Sequence, residues 1–507
     1  MRLEVGLALI ALAPALPIEA AERPNLVIVF ADDMGYGDPG VYNARSRAPM
    51  PNIDALAEKG LRFTDAHTAS SVCTPSRYGL LTGRYPWRSR LPKGIVNSWG
   101  KPVIKRERLT LGKLLQGLGY RTAAIGKWHL GWDWPLQGGG YVSDEIDGIN
   151  VGADYEAVGR RIDFSRPMRD GPTTRGFDYY FGDDVPNFPP YAFIENDRVM
   201  GEPTERMPRH KSQRAGPMMP GWDLWAAQPT ITSRAIEWLE ERAAEPESER
   251  KPFFLYVPLL GPHTPIVPGA EHRGVSQAGP YGDWVHQMDS ILGRVVETLE
   301  RCGLIENTIV LFTSDNGSPA RSGIGTVGQT HTVTQLYSHV PNAPWRGLKS
   351  DAWEAGHRVP FIVRWDGRVA AGAVNDRTIC LTDVLGTIAE ITGVDLPEEA
   401  AEDSFSMASE WLGERPSRFA RRSIVHQSGG GLFAVRKGDW KLILGDGSGG
   451  FSSPRGRVLS PEEEGPMQLY LLSEDPRERR NLAAARKDKV QELLQELRRL
   501  QHEGRSR

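Results

Sequence analysis

The sequence predicts an α/β fold: a largely parallel central sheet, followed in the chain by a smaller α+β subdomain. Three observations predict it. Apolar, β-branched runs at 25–30, 252–257 and 308–313 are continuous rather than alternating, as in strands buried on both faces. Helical stretches at 233–242 and 284–302 precede the second and third runs, and each run empties into a polar loop. Near residue 400 the pattern changes to short alternating segments. A chain of 507 residues accommodates a large domain over 21–400 and a small one over 401–507.

The chain opens with Met1, Arg2 and Leu3, a mostly apolar run from Val5 to Ile18, then Ala20 and Ala21. This predicts a secretory signal peptide over 1–20 and an exported protein, periplasmic or secreted. The run is too short to span a bilayer and no later run reaches 18 apolar residues, so no integral membrane segment is expected. A net charge of −3 argues against a nucleic-acid partner, so an anionic ligand must meet local positive charge. The odd cysteine count (Cys73, Cys302, Cys380) leaves Cys302 and Cys380 either paired or as thiols.

The first strand ends in Asp32 and Asp33, with Gly35 and Gly37 behind them. Carboxylates at the C-terminal end of a parallel strand lie where open α/β sheets place ligands. Residues 52–60 read as a short helix stopped by Gly60. In the stretch 71–84, Thr74 reads as an N-cap and Pro75 as the first helical residue. That places Cys73 at a helix N-terminus, where the dipole favours anions and lowers a thiol pKa. A helix follows at 109–118. Strand 121–126 then runs into Lys127 and His129, which share a face if the strand continues.

Residues 132–230 are irregular and rich in Gly, Pro, Trp and Tyr, reading as loops that wall a cleft. They carry Trp132, Trp134, Trp222 and Trp225, and a basic cluster of Arg198, Arg206, Arg209, His210, Lys211 and Arg214. Beyond the later strands come His263, then Asp315 and Asn316, then Lys349 ahead of a strand at 361–365. Asn316-Gly317-Ser318 matches a glycosylation acceptor, a role rejected because the same Asn is wanted as a metal ligand. In the small subdomain a hairpin turns at 437–439 and a strand covers 468–472. Val490, Leu493, Leu494, Leu497 and Leu500 make one helical face.

The string Cys73-Thr74-Pro75-Ser76-Arg77, continuing through Leu81-Thr82-Gly83-Arg84, resembles the signature of the type I sulfatases of the alkaline-phosphatase superfamily. Gly126-Lys127-Trp128-His129-Leu130-Gly131, the Asp32-Asp33 loop, Asp315-Asn316-Gly317 and the block 345–360 resemble further blocks in the family's order. Pro39 and Ala355 are minor departures. The resemblance runs from about Asn25 to the C-terminal helix. It implies an alkaline-phosphatase-like α/β/α sandwich and a C-terminal antiparallel sheet with a packing helix. It also implies that a formylglycine-generating maturation enzyme, met transiently along with the export machinery, oxidises Cys73 to formylglycine. The implied activity is hydrolysis of a sulfate ester to an alcohol and inorganic sulfate.

Asp32, Asp33, Asp315 and Asn316 offer only oxygen donors, a set suited to one Ca2+, with Mg2+ second and zinc a poor fit. Residue 73, as the hydrate, or the sulfate itself would complete the shell. Arg77, Lys127, His129, His263 and Lys349 supply the positive side for a sulfate ester. By resemblance, the hydrate oxygen attacks sulfur and Asp315 takes its proton. His263, with Lys349, protonates the leaving alcohol, and His129 draws the proton that releases sulfate. The Trp- and Arg-bearing insert favours a sulfated carbohydrate over a small aryl sulfate. Two alternatives stay open: a phosphonate monoester or phosphodiester hydrolase of the same superfamily, and a non-catalytic protein that binds sulfated saccharides.

Overall fold

The computed structural model describes residues 23–209, 213–322, 332–413 and 421–507. The signal segment, together with His210 and Lys211 of the basic cluster, lies outside them. The run at 25–30 belongs to strand β1 (Asn25–Asp32), buried along its whole length. The chain then adds β2 (Leu61–Phe63), β3 (Arg121–Ile125), β4 (Tyr179–Gly182), β5 (Ile194–Glu195), β6 (Arg198–Val199), β7 (Phe253–Pro262), β8 (Thr308–Ser314), β9 (Phe361–Arg364) and β10 (Ala373–Asn375). These form one sheet in the order β10-β2-β9-β8-β1-β7-β3-β4-β5-β6. Its centre is parallel: β1 pairs with β7 and β8, β7 with β3, and β3 with β4. Antiparallel pairs begin at β9 on one side and β5 on the other.

Helices α1 (Pro51–Glu58), α2 (Cys73–Thr82), α3 (Leu111–Gly117), α4 (Leu224–Ala244), α5 (Gly279–Arg301) and α6 (Asp383–Ile391) flank the sheet. Leu26, Ile28 and Phe30 of β1 join a core with Leu80, Leu111 and Leu385 of α2, α3 and α6. The alternate residues Val27, Val29 and Ala31 join the opposite core, with Ile53, Ile231 and Trp284 of α1, α4 and α5. This two-sided burial makes an α/β/α sandwich and explains why the strands read as unbroken apolar runs. Helix α4 starts well before the predicted 233, because Asp223 caps it through the Trp225 N–H, and it continues through Pro229.

In the C-terminal portion, β11 (Ile424–Gln427), β12 (Phe433–Lys437), β13 (Trp440–Ile443) and β14 (Gln468–Leu471) form an antiparallel sheet in chain order. Lys437 pairs with Trp440, leaving Gly438, at φ 58°, and Asp439 as a two-residue turn. Helix α7 (Lys487–Glu503) lays Leu493, Leu494, Leu497 and Leu500 on one face of this sheet. The other face packs Ala434, Ile443 and Tyr470 against Ala352 and Trp353, just beyond Lys349.

The insert departs from expectation. Trp132 and Trp134 are each 1% exposed and belong to the main core, so neither ring is free to stack on a ligand. Trp222 is partly buried against Phe193, and only Trp225 reaches the surface. In the basic cluster, Arg206 pairs with Glu156 and Arg198 donates to the Ser165 carbonyl. Cys302 and Cys380 are free thiols, the first half-buried and the second buried. Among the described residues, no helix is long and apolar enough to cross a membrane.

Candidate active site

Strands β8, β1, β7 and β3 are neighbours, and their C-terminal ends deliver Asp315, Asp32, His263 and Lys127 to one place. The register sets Ala31 opposite Ser314 and Asp32 opposite Pro262. Asp33 takes a left-handed φ of 71°, and its N–H donates to Asp315 Oδ1 at 3.0 Å. Met34 N–H donates to Ser314 Oγ at 3.0 Å, fastening the two exits together. β3 ends at Ile125, so Lys127 and His129 are loop residues, and strand alternation is not what brings them here. The chain turns through Gly126, at φ 141°, where a Cβ would lie 1.9 Å from the Pro258 carbonyl oxygen. His129 is itself left-handed, at φ 53°.

Cys73 is the first residue of α2, after Val72 in an extended cap position. Thr74 is not the cap. Its hydroxyl donates to the His129 carbonyl at 2.9 Å and accepts from Val96 N–H at 3.1 Å, locking α2 to the His129 loop. Pro75 therefore sits two residues inside the helix rather than at its start. Cys73 Sγ lies 3.2 Å from Lys349 Nζ. The thiol is pushed up to about 12, not down: burial outweighs Lys127 and Lys349, and the charges of Asp315 and Asp32 add to it.

Beneath the sulfur lies a closed charge lattice. Lys127 Nζ pairs with Asp32 Oδ2 at 2.5 Å, and Arg77 donates from Nε and Nη2 to Asp315 Oδ2 at 3.2 and 2.9 Å. The remaining Arg77 fork reaches the Lys127 carbonyl, so its donors hold the site together rather than facing a ligand. Burial alone would neutralise Asp32, but Lys127, His263 and Arg77 hold it well below the usual carboxylate range. Asp315 moves the other way, up to about 7, through burial and the neighbouring Asp32 charge. Above the lattice a cavity of about 270 Å3 is lined by Cys73, His129, His263 and Lys349, with Phe188 of the insert and Phe451 of the C-terminal portion.

The two imidazoles differ. His129 Nε2 donates to the Val96 carbonyl at 3.0 Å, leaving Nδ1 as a buried lone pair with no partner among the described residues. His263 Nδ1 donates to the Thr264 carbonyl, and its Nε2 stands 3.9 Å from Asp33 Oδ2. Burial pulls both below the ordinary imidazole value, His263 to about 4.

A family model described as Sulfatase matches residues 24–394. The chain belongs to the sulfatase family. It is 31% identical over 511 residues to the N-acetylgalactosamine-6-O-sulfatase of Bacteroides thetaiotaomicron, covering 93% of this chain and 92% of that one. It is 30% identical to human arylsulfatase A, over 97% of this chain and 89% of the relative. A solved structure from work on glycosaminoglycan metabolism by Bacteroides thetaiotaomicron superposes with a TM-score of 0.78 at 29% identity, covering 94% of this chain and 99% of that one. The sulfatase is accordingly a sulfuric ester hydrolase on an alkaline-phosphatase-like sandwich.

The site of this sulfatase fits a divalent cation. Asp32 Oδ1 and Asn316 Oδ1 are buried with no hydrogen-bond partner among the described residues. Asn316 Nδ2 donates to Asp33 Oδ1 at 2.7 Å, which turns the amide oxygen the other way. Donor atoms of Asp32, Asp33, Cys73 and His263 lie within 4.8 Å of one another, so the structure keeps residue 73 at the predicted oxygens and adds the imidazole of His263. Leftover carboxylate and amide oxygens suit a hard divalent cation.

Some of the sulfatase's supporting residues escape sequence reasoning. Asp184 Oδ1 accepts the His129 N–H at 3.1 Å, and the Val96 carbonyl orients the ring. Asp184 had a signal, since Asp183 and Asp184 follow β4 as Asp32 and Asp33 follow the apolar run of β1. Val96 had none, because a carbonyl carries no residue identity.

Proposed function

We propose that this sulfatase is exported and hydrolyses an O-sulfate ester on a hexosamine-containing saccharide, with Cys73 matured to formylglycine and one Ca2+ held by Asp32, Asp33, Asp315 and Asn316. The observation that carries the reading is Cys73 itself. Its sulfur lies at the meeting point of four strand exits, 3.2 Å from Lys349 Nζ, yet with a pKa of about 12 the thiol is a poor nucleophile. A position built for catalysis but unsuited to thiolate chemistry supports conversion to another group. When present, the cation supplies positive charge against sulfate oxygens, and the formylglycine hydrate supplies the attacking oxygen.

The chain's own residues carry the protons. Asp315, held by Arg77, accepts the proton of the attacking hydroxyl at residue 73. His263 Nε2 delivers a proton to the leaving alcohol, with Lys349 beside it. The single negative charge of a bound sulfate ester would favour the protonated imidazole, against the burial that lowers the His263 pKa. His129 Nδ1, its lone pair fixed by the Val96 bond, takes the second proton as sulfate departs. Lys349 and Lys127 balance the anionic oxygens. The amino-sugar substrate rests on likeness to the Bacteroides relative and on the aromatic walls Phe188 and Phe451.

Sulfate release tests the reading. Protein co-produced with a maturation enzyme should cleave N-acetylgalactosamine 6-sulfate with higher kcat/KM than 4-nitrophenyl sulfate, and aryl phosphate mono- and diesters should be poor substrates. Preference for a phosphodiester would favour the phosphonate and phosphodiester alternative. Binding without turnover would favour the non-catalytic one.

A further inference from the structure

Arg321 follows β8 by seven residues of loop and contributes to the catalytic cavity beside Phe451, whose ring centroid lies 5.4 Å from its guanidinium. The mechanism above does not use it. Its Nε is shielded from solvent and has no hydrogen-bond partner among the described residues, and no carboxylate among them forms an ion pair with it. Asp33 is the charge that reaches it. Asp33 is already committed to Lys349 at 2.5 Å and to Asn316 at 2.7 Å. The adjoining stretch 323–331 contains no Asp or Glu that could neutralise it. Arg321 is only partly buried, but its shielded Nε is left without a partner, and an anion held in the cavity would supply one.

The sulfate undergoing hydrolysis already has its cations. Lys349 stands at the sulfur, and Lys127 and Lys349 are the positive charges felt at Cys73. Arg321 is a further one, and its planar fork suits a second pair of anionic oxygens. We infer that Arg321 forms a second anion subsite, so that the preferred substrate carries another sulfate or a carboxylate close to the sulfate being removed. The inference rests on the sulfated-saccharide reading and narrows it to a multiply charged saccharide. Phe451 provides the apolar wall against which the intervening sugar ring lies.

The test compares three esters: N-acetylgalactosamine 6-sulfate, N-acetylgalactosamine 4,6-disulfate, and an unsaturated chondroitin 6-sulfate disaccharide bearing a uronate. Wild type should favour one or both doubly charged esters, and which one identifies the second anion as sulfate or carboxylate. In Arg321→Gln, kcat/KM for the favoured ester should fall about 10- to 100-fold further than for the 6-sulfate, chiefly through KM. Arg321→Lys should restore part of it. Calorimetric binding of the same ligands to Cys73→Ala, with and without Arg321→Gln, should show the same ranking without turnover. An equal loss on all three esters, or a wild-type preference for the singly charged ester, overturns the subsite. Failure of matured wild type to release sulfate from any of them overturns the saccharide reading beneath it.

Discussion

The dipole of α2 and the ammonium groups of Lys127 and Lys349 all favour a charged sulfur at Cys73, yet burial holds the thiol near 12. Unmatured protein should therefore resist iodoacetamide at Cys73 near pH 8, while the half-buried Cys302 reacts first. Peptide mapping after timed alkylation checks this, and prompt labelling of Cys73 would contradict it. Cys73→Ala should lower sulfate release by about 10^4-fold or more with the fold retained. Asp315 carries a second prediction. With its pKa raised to about 7 it is largely protonated below that pH, and it must lose the proton to ligate a cation. Ca2+ affinity should rise as pH increases through 7 and weaken toward pH 6, with proton release on binding. Calorimetry in buffers of different ionisation enthalpy measures both, and an affinity flat across that range would contradict the assignment. The candidate site residues were legible because each sits in a short distinctive string, at a strand exit for Asp32, Asp33, His263, Asp315 and Asn316 and at the start of α2 for Cys73 and Arg77. Their protonation was not, because it depends on burial and on charges hundreds of residues away.

The elements place the chemistry through turns that tolerate few residues. Gly126 passes under the Pro258 carbonyl, leaving no room for a Cβ, and the turn aims Lys127 down at Asp32 while His129 faces the cavity. Gly126→Ala should destabilise the protein by about 2–4 kcal/mol, with loss of activity exceeding the loss of folded protein. Urea unfolding alongside sulfate release checks this, and wild-type behaviour in both would sink it. The same turn explains an error of local reasoning, since alternation along a continued strand would also put Lys127 and His129 together. Thr74 is a similar case. Its sequence suits an N-cap, but the hydroxyl ties α2 to the His129 loop instead. In the insert, aromatic richness misled on both element type and exposure, since the segment read as loops supplies β4, β5 and β6 of the central sheet. Trp132 and Trp134 fill the core beside β4, and Phe188 reaches the cavity.

At the scale of the molecule, the C-terminal sheet is more than an appendage. Its apolar face packs on Trp353, and a buried ionic network crosses the same junction. Lys441 of β13 pairs with Glu354 at 3.0 Å and Glu478 at 2.8 Å, while Asp65 takes Arg358 and Arg436. Removing one buried partner strands the others, so Lys441→Met should cost about 3–5 kcal/mol and lower thermal stability. A separately melting C-terminal portion in wild type would contradict one cooperative junction. The sandwich was visible in the sequence as apolar runs, and the small sheet as a hairpin and a helical stripe. The network was not, because its members come from separate segments and no local pattern pairs them.

The most direct test is mass spectrometry of the tryptic peptide 63–77 from exported protein, read together with sulfate release from N-acetylgalactosamine 6-sulfate. The account predicts an aldehyde at residue 73, trappable by a hydrazine, with activity rising in proportion to its occupancy. Full activity from protein whose Cys73 is entirely unmodified would contradict it.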